Sequence, residues 1–132
     1  MADTNVDLIL AAFGALDAGD LDALMELWAP EIEIDMSRAL GPVTGVYRGE
    51  EAQRAFIDFR ESWQSVRTEP HEFIEEGEHV VVPSTTHFVG RDGIEVQARR
   101  VTWTFTIRDG MIVRTCFYQD KQEALEALGL EE

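Results

Sequence analysis

Apolar residues recur along this chain with two different periods, and the changes of period mark its elements. Val6, Ile9, Leu10, Phe13 and Leu16 keep the three-and-four spacing of a helix face. "DAGD" interrupts it, with Gly19 suited to a left-handed helix end and Asp20 to capping a second helix. That second helix carries Leu21, Leu24, Leu27 and Trp28 and is expected to stop at Pro30. Strict alternation follows in "EIEIDM", 31–36, which predicts a strand. "SRALGPVTGVYRG" is punctuated by Gly41, Pro42, Gly45 and Gly49 and reads as a loop. Ala52, Phe56, Phe59, Trp63 and Val66 return to helical spacing and predict a third helix with one apolar face. After Pro70 the period is two again. "HEFIEEG", "EHVVVPSTTHFVG", "IEVQARRVTWTFTI" and "MIVRTCFYQD" read as four strands joined by short turns, at 76–77, 90–93 and 108–110. A last helix opens with Asp120 and Glu123 at capping-box spacing and ends at Gly129.

The order is helix, helix, strand, helix, four strands, helix. Short connections imply an antiparallel meander, and early helices with a late sheet imply an α+β class. A single sheet must cover its apolar face, so the expected architecture is a curved antiparallel sheet wrapped around the N-terminal helices, a cone-shaped α+β barrel. Such a cone encloses a space suited to a small ligand. The 132 residues fit one domain, 1–132, with one modest core.

Composition narrows the partners. The formal net charge of -15 would repel a phosphate backbone or an anionic bilayer, so neither nucleic acid nor membrane is expected. No apolar run reaches the roughly 20 residues needed to span a bilayer. The N-terminus "MADTNVDLIL" has no basic stretch ahead of an apolar one, and a cytoplasmic location is expected. The single cysteine, Cys116, excludes an internal disulfide.

Strand parity decides the candidate chemistry. Glu31, Glu33 and Asp35 share one face of the first strand, and Ile32, Ile34 and Met36 share the other. Three unpartnered carboxylates on a buried face would cost several kcal/mol each. The apolar trio is therefore expected to face the core and Asp35 to face water, unless a one-residue bulge turns it inward.

The pieces "ALDAGDLDALMELWAPEIEI", "GVYRGEEAQRAF", "TEPHEFIEEGEHVVV" and "TFTIRDGMIVRTCFYQDKQEAL", in that order, resemble the SnoaL-like proteins of the nuclear-transport-factor-like, cystatin-like-cone superfamily. The resemblance covers nearly the whole chain and is specific for fold. It is weak for function, since relatives include polyketide cyclases, ketosteroid isomerases, epoxide hydrolases and proteins that only bind or dimerise. Aligned on "DAGDLD", the isomerase base falls on Met36, its helix-one tyrosine on Ala12 and its second acid near Trp103. The cyclase aspartate falls on Phe117. The hydrolase relay and water-holding positions fall on Ser84, Thr86, Phe117, Ile34 and Met36. None of the three acid/base sets is present.

Trp103, Phe117, Thr115, Val101, Ile34 and Met36, with Phe59 and Trp63 from the third helix, are instead expected to line an apolar cavity for a small apolar or aromatic molecule. Gln97 and Arg99 share the parity of Val101 and Trp103, so Arg99 is either a snorkelling side chain or a clamp for a carboxylate or enolate. Tyr47 is placed at the cavity mouth. On the last strand the resemblance puts Val113, Thr115, Phe117 and Gln119 inside, with Arg114, Cys116 and Tyr118 outside. His71, His79 and His87 are not brought together by strand geometry, so no metal and no cofactor are expected.

Three readings remain. The first is a binding protein with an aromatic cone. The second is an enzyme of cyclase, isomerase or hydrolase type with a non-standard acid/base at Asp35 or His87. The third is a dimerisation module with a filled cavity. For all three, Thr102, Thr104, Thr106, Cys116 and Tyr118 are expected to form a flat outer patch that supports a homodimer.

Overall fold

The structure, a computed structural model, describes residues 4–38, 45–99 and 101–129. Residues 39–44 of the expected glycine-rich loop, and Arg100, lie outside them. Helix α1 (Asn5–Ala18) starts at Thr4, whose hydroxyl accepts from the Asp7 amide at 3.0 Å, and ends at Gly19 with φ 74°. Asp20 then caps the short α2 (Leu21–Glu26) by accepting from the Ala23 amide. The second helix ends sooner than its spacing implied. Trp28 opens strand β1 (Trp28–Asp35), and Pro30 lies within that strand. A short β2 (Val46–Arg48) pairs with β1 and precedes α3 (Glu50–Glu61).

Helix α3 stops before the periodicity that announced it. Trp63 and Val66 belong to β3 (Trp63–Pro70), not to the helix. They stay on the core side because the pairing of β3 shifts register between Trp63 and Ser65, and one extra residue flips the strand parity. The remaining strands are β4 (Ile74–Glu76), β5 (His79–Gly90), β6 (Glu95–Ala98), β7 (Thr102–Arg108) and β8 (Met111–Tyr118). Helix α4 (Lys121–Leu128) follows, with the Asp120 carboxylate accepting from the Glu123 amide at 2.8 Å and Gly129 ending it at φ 70°.

The eight strands form one curved, unclosed sheet in the order β2-β1-β8-β7-β5-β3, with β4 and β6 both on β5. The pairing is not wholly antiparallel, as the meander implied. β1 lies parallel to β8, because the chain returns to the first strand only after the helix and every other strand. β5 is long enough to serve two sets of partners. Its first half, 79–83, pairs with β7, and its second half, 84–90, pairs with β3. The expected continuous strand over 94–107 is broken accordingly into β6 and β7.

Along β1, Ile32, Ile34 and Met36 are buried on the concave side, while Glu31 is exposed and Glu33 and Asp35 are half-buried on the other. Helices α1 and α3 cover the concave side. Phe13 stacks edge-on to Phe105 at 5.6 Å, and Phe56 sits between Trp28 and Phe59, 5.4 Å from each ring. The last strand departs from the expected facing at one residue. Ile112, not Val113, enters the core, because the β7–β8 pairing shifts register between Thr106 and Ile107.

The outer face carries the charges that tie β1 to its neighbours. The Glu33 carboxylate accepts from Arg48 Nε at 3.0 Å and from Arg114 Nε at 2.8 Å, which holds its pKa below the usual glutamate range. A depressed carboxyl pKa contributes stability that is present above its unfolded value and lost as pH falls. Glu33→Gln is therefore expected to cost about 1 kcal/mol at pH 7, a modest figure because water reaches the network. The gap to wild type should close as pH falls below 4.5 through the folded value, read by urea denaturation at several pH values.

Candidate functional site

The concave side of the cone is where the aromatic residues meet. Trp103, Phe117, Val101, Thr115, Ile34, Met36 and Phe59 are all buried, and Trp63 and Tyr47 are half-buried against the same apolar cluster. Trp103 meets Phe117 edge-on at 4.9 Å and lies nearly parallel to Phe105 at 6.3 Å. Trp63 packs on Phe88 at 4.6 Å, and Phe59 meets Phe88 edge-on at 6.2 Å. Phe88 joins the site through the parity of β5. Its alternation was visible in the sequence, but its side of the sheet was not.

Beside α1 the rings leave little room. The space between Phe13, Leu24, Trp28, Phe56, Trp103 and Thr115 is about 20 Å³. That volume holds a single water, whereas ligand sites run to several hundred Å³. The Thr115 hydroxyl, the polar group at its edge, donates to the Thr104 carbonyl at 3.0 Å.

Arg99 is not part of this interior. It is exposed, its Nε donates to the Gln97 side-chain carbonyl at 2.7 Å, and Gln97 is exposed as well. The parity that linked both to Val101 and Trp103 fails because β6 ends at Ala98 and β7 begins only at Thr102. Arg99 instead borders a shallow groove of about 620 Å³ with His71, Ser84, Thr102, Asp120 and Lys121.

The two candidate bases also lie away from the rings. Asp35 is on the outer face, where it accepts from the Ser37 amide at 3.0 Å and pairs with Arg114 at 3.5 Å. His87 alternates with Thr86 and Phe88 and points away from Phe88. Its Nδ1 is 3.0 Å from the side-chain nitrogen of exposed Gln97. The three histidines have separate partners: Thr85 for His71, Thr106 for His79 and Gln97 for His87. No group of three or more potential metal ligands occurs among the described residues.

The outer patch is not a flat open surface. Cys116 and Tyr118 do point away from the cone, but they pack with Val81 beneath Ala124 and Leu125 of α4. Thr102, Thr104 and Thr106 are buried too. Burial pushes the Cys116 thiol upward, opposed in part by Arg114, so the sulfur is a protonated thiol at neutral pH. Burial likewise pushes Tyr118 up to about 12, with the Arg38 guanidinium 5.7 Å from its ring centre.

Comparison with known proteins agrees with this architecture. No protein of curated function matches the chain. Among solved structures it is similar to TerC co-crystallized with polyporic acid, with 23% identity and TM-score 0.76 over 94% of this chain and 96% of that one. It is similar to RV0760c from Mycobacterium tuberculosis in complex with estradiol-17beta-hemisuccinate, with 14% identity and TM-score 0.73 over 86% and 91%. A putative polyketide cyclase from Sinorhizobium meliloti shares 24% identity and a TM-score of 0.66 over 84% and 93%. At these identities the likeness establishes the fold. The sequence profile of the SnoaL-like domain matches residues 9–115, and the chain belongs to that family.

Proposed function

We propose that this protein binds a small, flat, apolar molecule inside its cone and does not transform it. One observation carries the reading: the concave side is assembled from aromatic rings, and the two candidate bases make their contacts elsewhere. Proton-transfer chemistry needs a base within hydrogen-bond reach of the reacting atom. Asp35 and His87, the two candidates for that role, lie on the opposite side of their strands. The solved relatives bound to polyporic acid and to a steroid hemisuccinate support small-molecule binding as a use of this fold.

A ligand reaching the end of the cone beside Phe13, Leu24 and Trp28 must displace rings, because the space there is about 20 Å³. The test is extraction of natively purified protein with organic solvent, followed by mass spectrometry for a co-purified aromatic molecule. Titration with flat aromatic probes completes it. All three tryptophans, Trp28, Trp63 and Trp103, pack in the core cluster, so their emission should change as a ligand enters. Trp103→Ala and Phe117→Ala should each weaken retention by tenfold or more. Asp35→Asn should leave retention unchanged and cost under about 1 kcal/mol, since it removes a solvent-facing ion pair. No ligand and no change in emission would sink the binding reading.

The small interior volume favours a second reading, a dimerisation module with a filled cavity. Its homodimer would use the outer sheet beside α4, since α4 occupies part of that face. Sedimentation equilibrium together with the probe titration separates the two: a dimer that binds no probe supports the module.

A further inference from the structure

The interior is apolar but not silent. Four buried side-chain polar atoms have no hydrogen-bond partner among the described residues: Trp63 Nε1, Thr86 Oγ1, His87 Nε2 and Trp103 Nε1. Three of them belong to residues on the concave side. Trp103 packs among Phe13, Phe105 and Phe117, and Trp63 packs on Phe88. Thr86 lies two residues before Phe88 on β5 and directly opposite Thr68 on β3. Trp103 and Thr86 are only 4% and 2% exposed. Buried polar groups are nearly always paired, and an orphan destabilises the protein that carries it. Here three orphans are gathered on the side proposed for a ligand.

Their chemistry constrains the occupant. An indole N–H only donates, so Trp103 and Trp63 require an acceptor. The Thr86 hydroxyl can donate or accept. None of the three carries a charge, and the titratable group at neighbouring Thr68 is the Asp17 carboxyl, which would repel a second carboxylate rather than neutralise it. An ionic head group buried here would be left uncompensated. A pure hydrocarbon would leave the orphans unpaired.

We infer that the cone selects a neutral, flat molecule bearing a carbonyl or other uncharged acceptor oxygen, read by the Trp103 indole N–H and the Thr86 hydroxyl. The inference rests on the ligand-binding reading and adds a polar specificity to it, which follows from this chain's own unpaired groups.

The test compares three tricyclic probes of nearly the same shape: fluorene, 9-fluorenone and 9-fluorenone-2-carboxylate, titrated by tryptophan emission and calorimetry. 9-Fluorenone should bind about tenfold more tightly than fluorene, and the carboxylate more weakly than either. Trp103→Phe keeps an aromatic ring and removes the N–H. It should weaken fluorenone more than fluorene and bring their ratio toward one. Thr86→Val removes an unpaired hydroxyl at constant shape. It should raise the melting temperature of the free protein while reducing the preference for the ketone. Equal binding of ketone and hydrocarbon, or equal losses in Trp103→Phe, would overturn the inference and leave hydrophobic ligand binding standing. Tightest binding of the carboxylate would overturn its neutral selectivity. Binding of none of the three would sink this inference and the proposed function together.

Discussion

Phe56→Ala is expected to destabilise the fold by about 4 kcal/mol, the usual cost of emptying a buried phenylalanine site. Phe56 is buried and bridges two elements, meeting Trp28 of β1 edge-on and Phe59 on its own helix. Besides the Arg60 bonds at its far end, helix α3 is held by this apolar face. Its N-terminal neighbour Gly49 makes no side-chain capping bond, and its exposed face is charged. Packing of the aromatic face therefore supplies most of its stability. A urea titration followed by circular dichroism measures the loss. A double-mutant cycle with Trp28→Ala should return a coupling of about 1 kcal/mol, as edge-on aromatic pairs do. A loss under about 1.5 kcal/mol for the single variant would mean that α3 does not close the cone.

The next largest effect is expected at Arg60, which joins α3 to the end of α1. Its Nε donates to the Leu16 carbonyl at 2.9 Å, and its terminal nitrogens reach the carbonyls of Asp17 and Trp63, each at 3.4 Å. The Leu16 and Asp17 carbonyls lie in the last turn of α1, where a helix leaves its carbonyls without the usual intrahelical partners. Arg60→Met keeps the apolar stem and removes the guanidinium, and should cost about 2 kcal/mol, in the range for hydrogen bonds to a charged group. The deficit should also depend on pH. The Asp17 carboxyl is half-buried, and desolvation raises its pKa despite the bonds it accepts from the Thr68 amide and the nearby charge of Arg60. A raised carboxyl pKa means the folded state binds a proton more readily, so stability falls as pH rises from 3.8 through the folded value. Removing Arg60 raises that value further. The deficit of Arg60→Met should therefore grow with pH across this window, level off above it, and be smallest below 3.8.

Much of this architecture was legible from periodicity. The caps at Gly19, Asp20, Asp120 and Gly129 stand where their residue types placed them, because capping depends on local geometry alone. The alternation of "EIEIDM" placed Ile32, Ile34 and Met36 on the concave side, because burial leaves an uninterrupted strand no other choice. What was missed lies where a strand stops or slips. The helical spacing from Phe59 to Trp63 and Val66 is matched equally by a helix and by a bulged strand, and the structure takes the second. Counting twos carries Arg99 into the cone, but β6 ends at Ala98 before it. Val113 lost its place to Ile112 at another register shift. The site suffers most from this, because one slipped residue exchanges inside for outside. The narrow space beside α1 was beyond reach from sequence for a different reason. Whether rings leave a void depends on how they pack against each other, which spacing does not encode.

The pairing of β1 with β8 bears on how the molecule is made. Glu33 and Arg114 meet across 81 positions of sequence, and the Ile112 amide donates to the Leu27 carbonyl beside them. On a ribosome, the first strand must wait for nearly the whole polypeptide before its permanent neighbour emerges. Until then β1 has only β2 beside it, while the pairs among β3, β4, β5, β6 and β7 can already form. Such distant closure slows folding. The alternating acids of 31–35 remain charged during that wait and discourage nascent chains from adding to one another's edges. The carboxylates that contribute no chemistry to the cone thus serve its biogenesis.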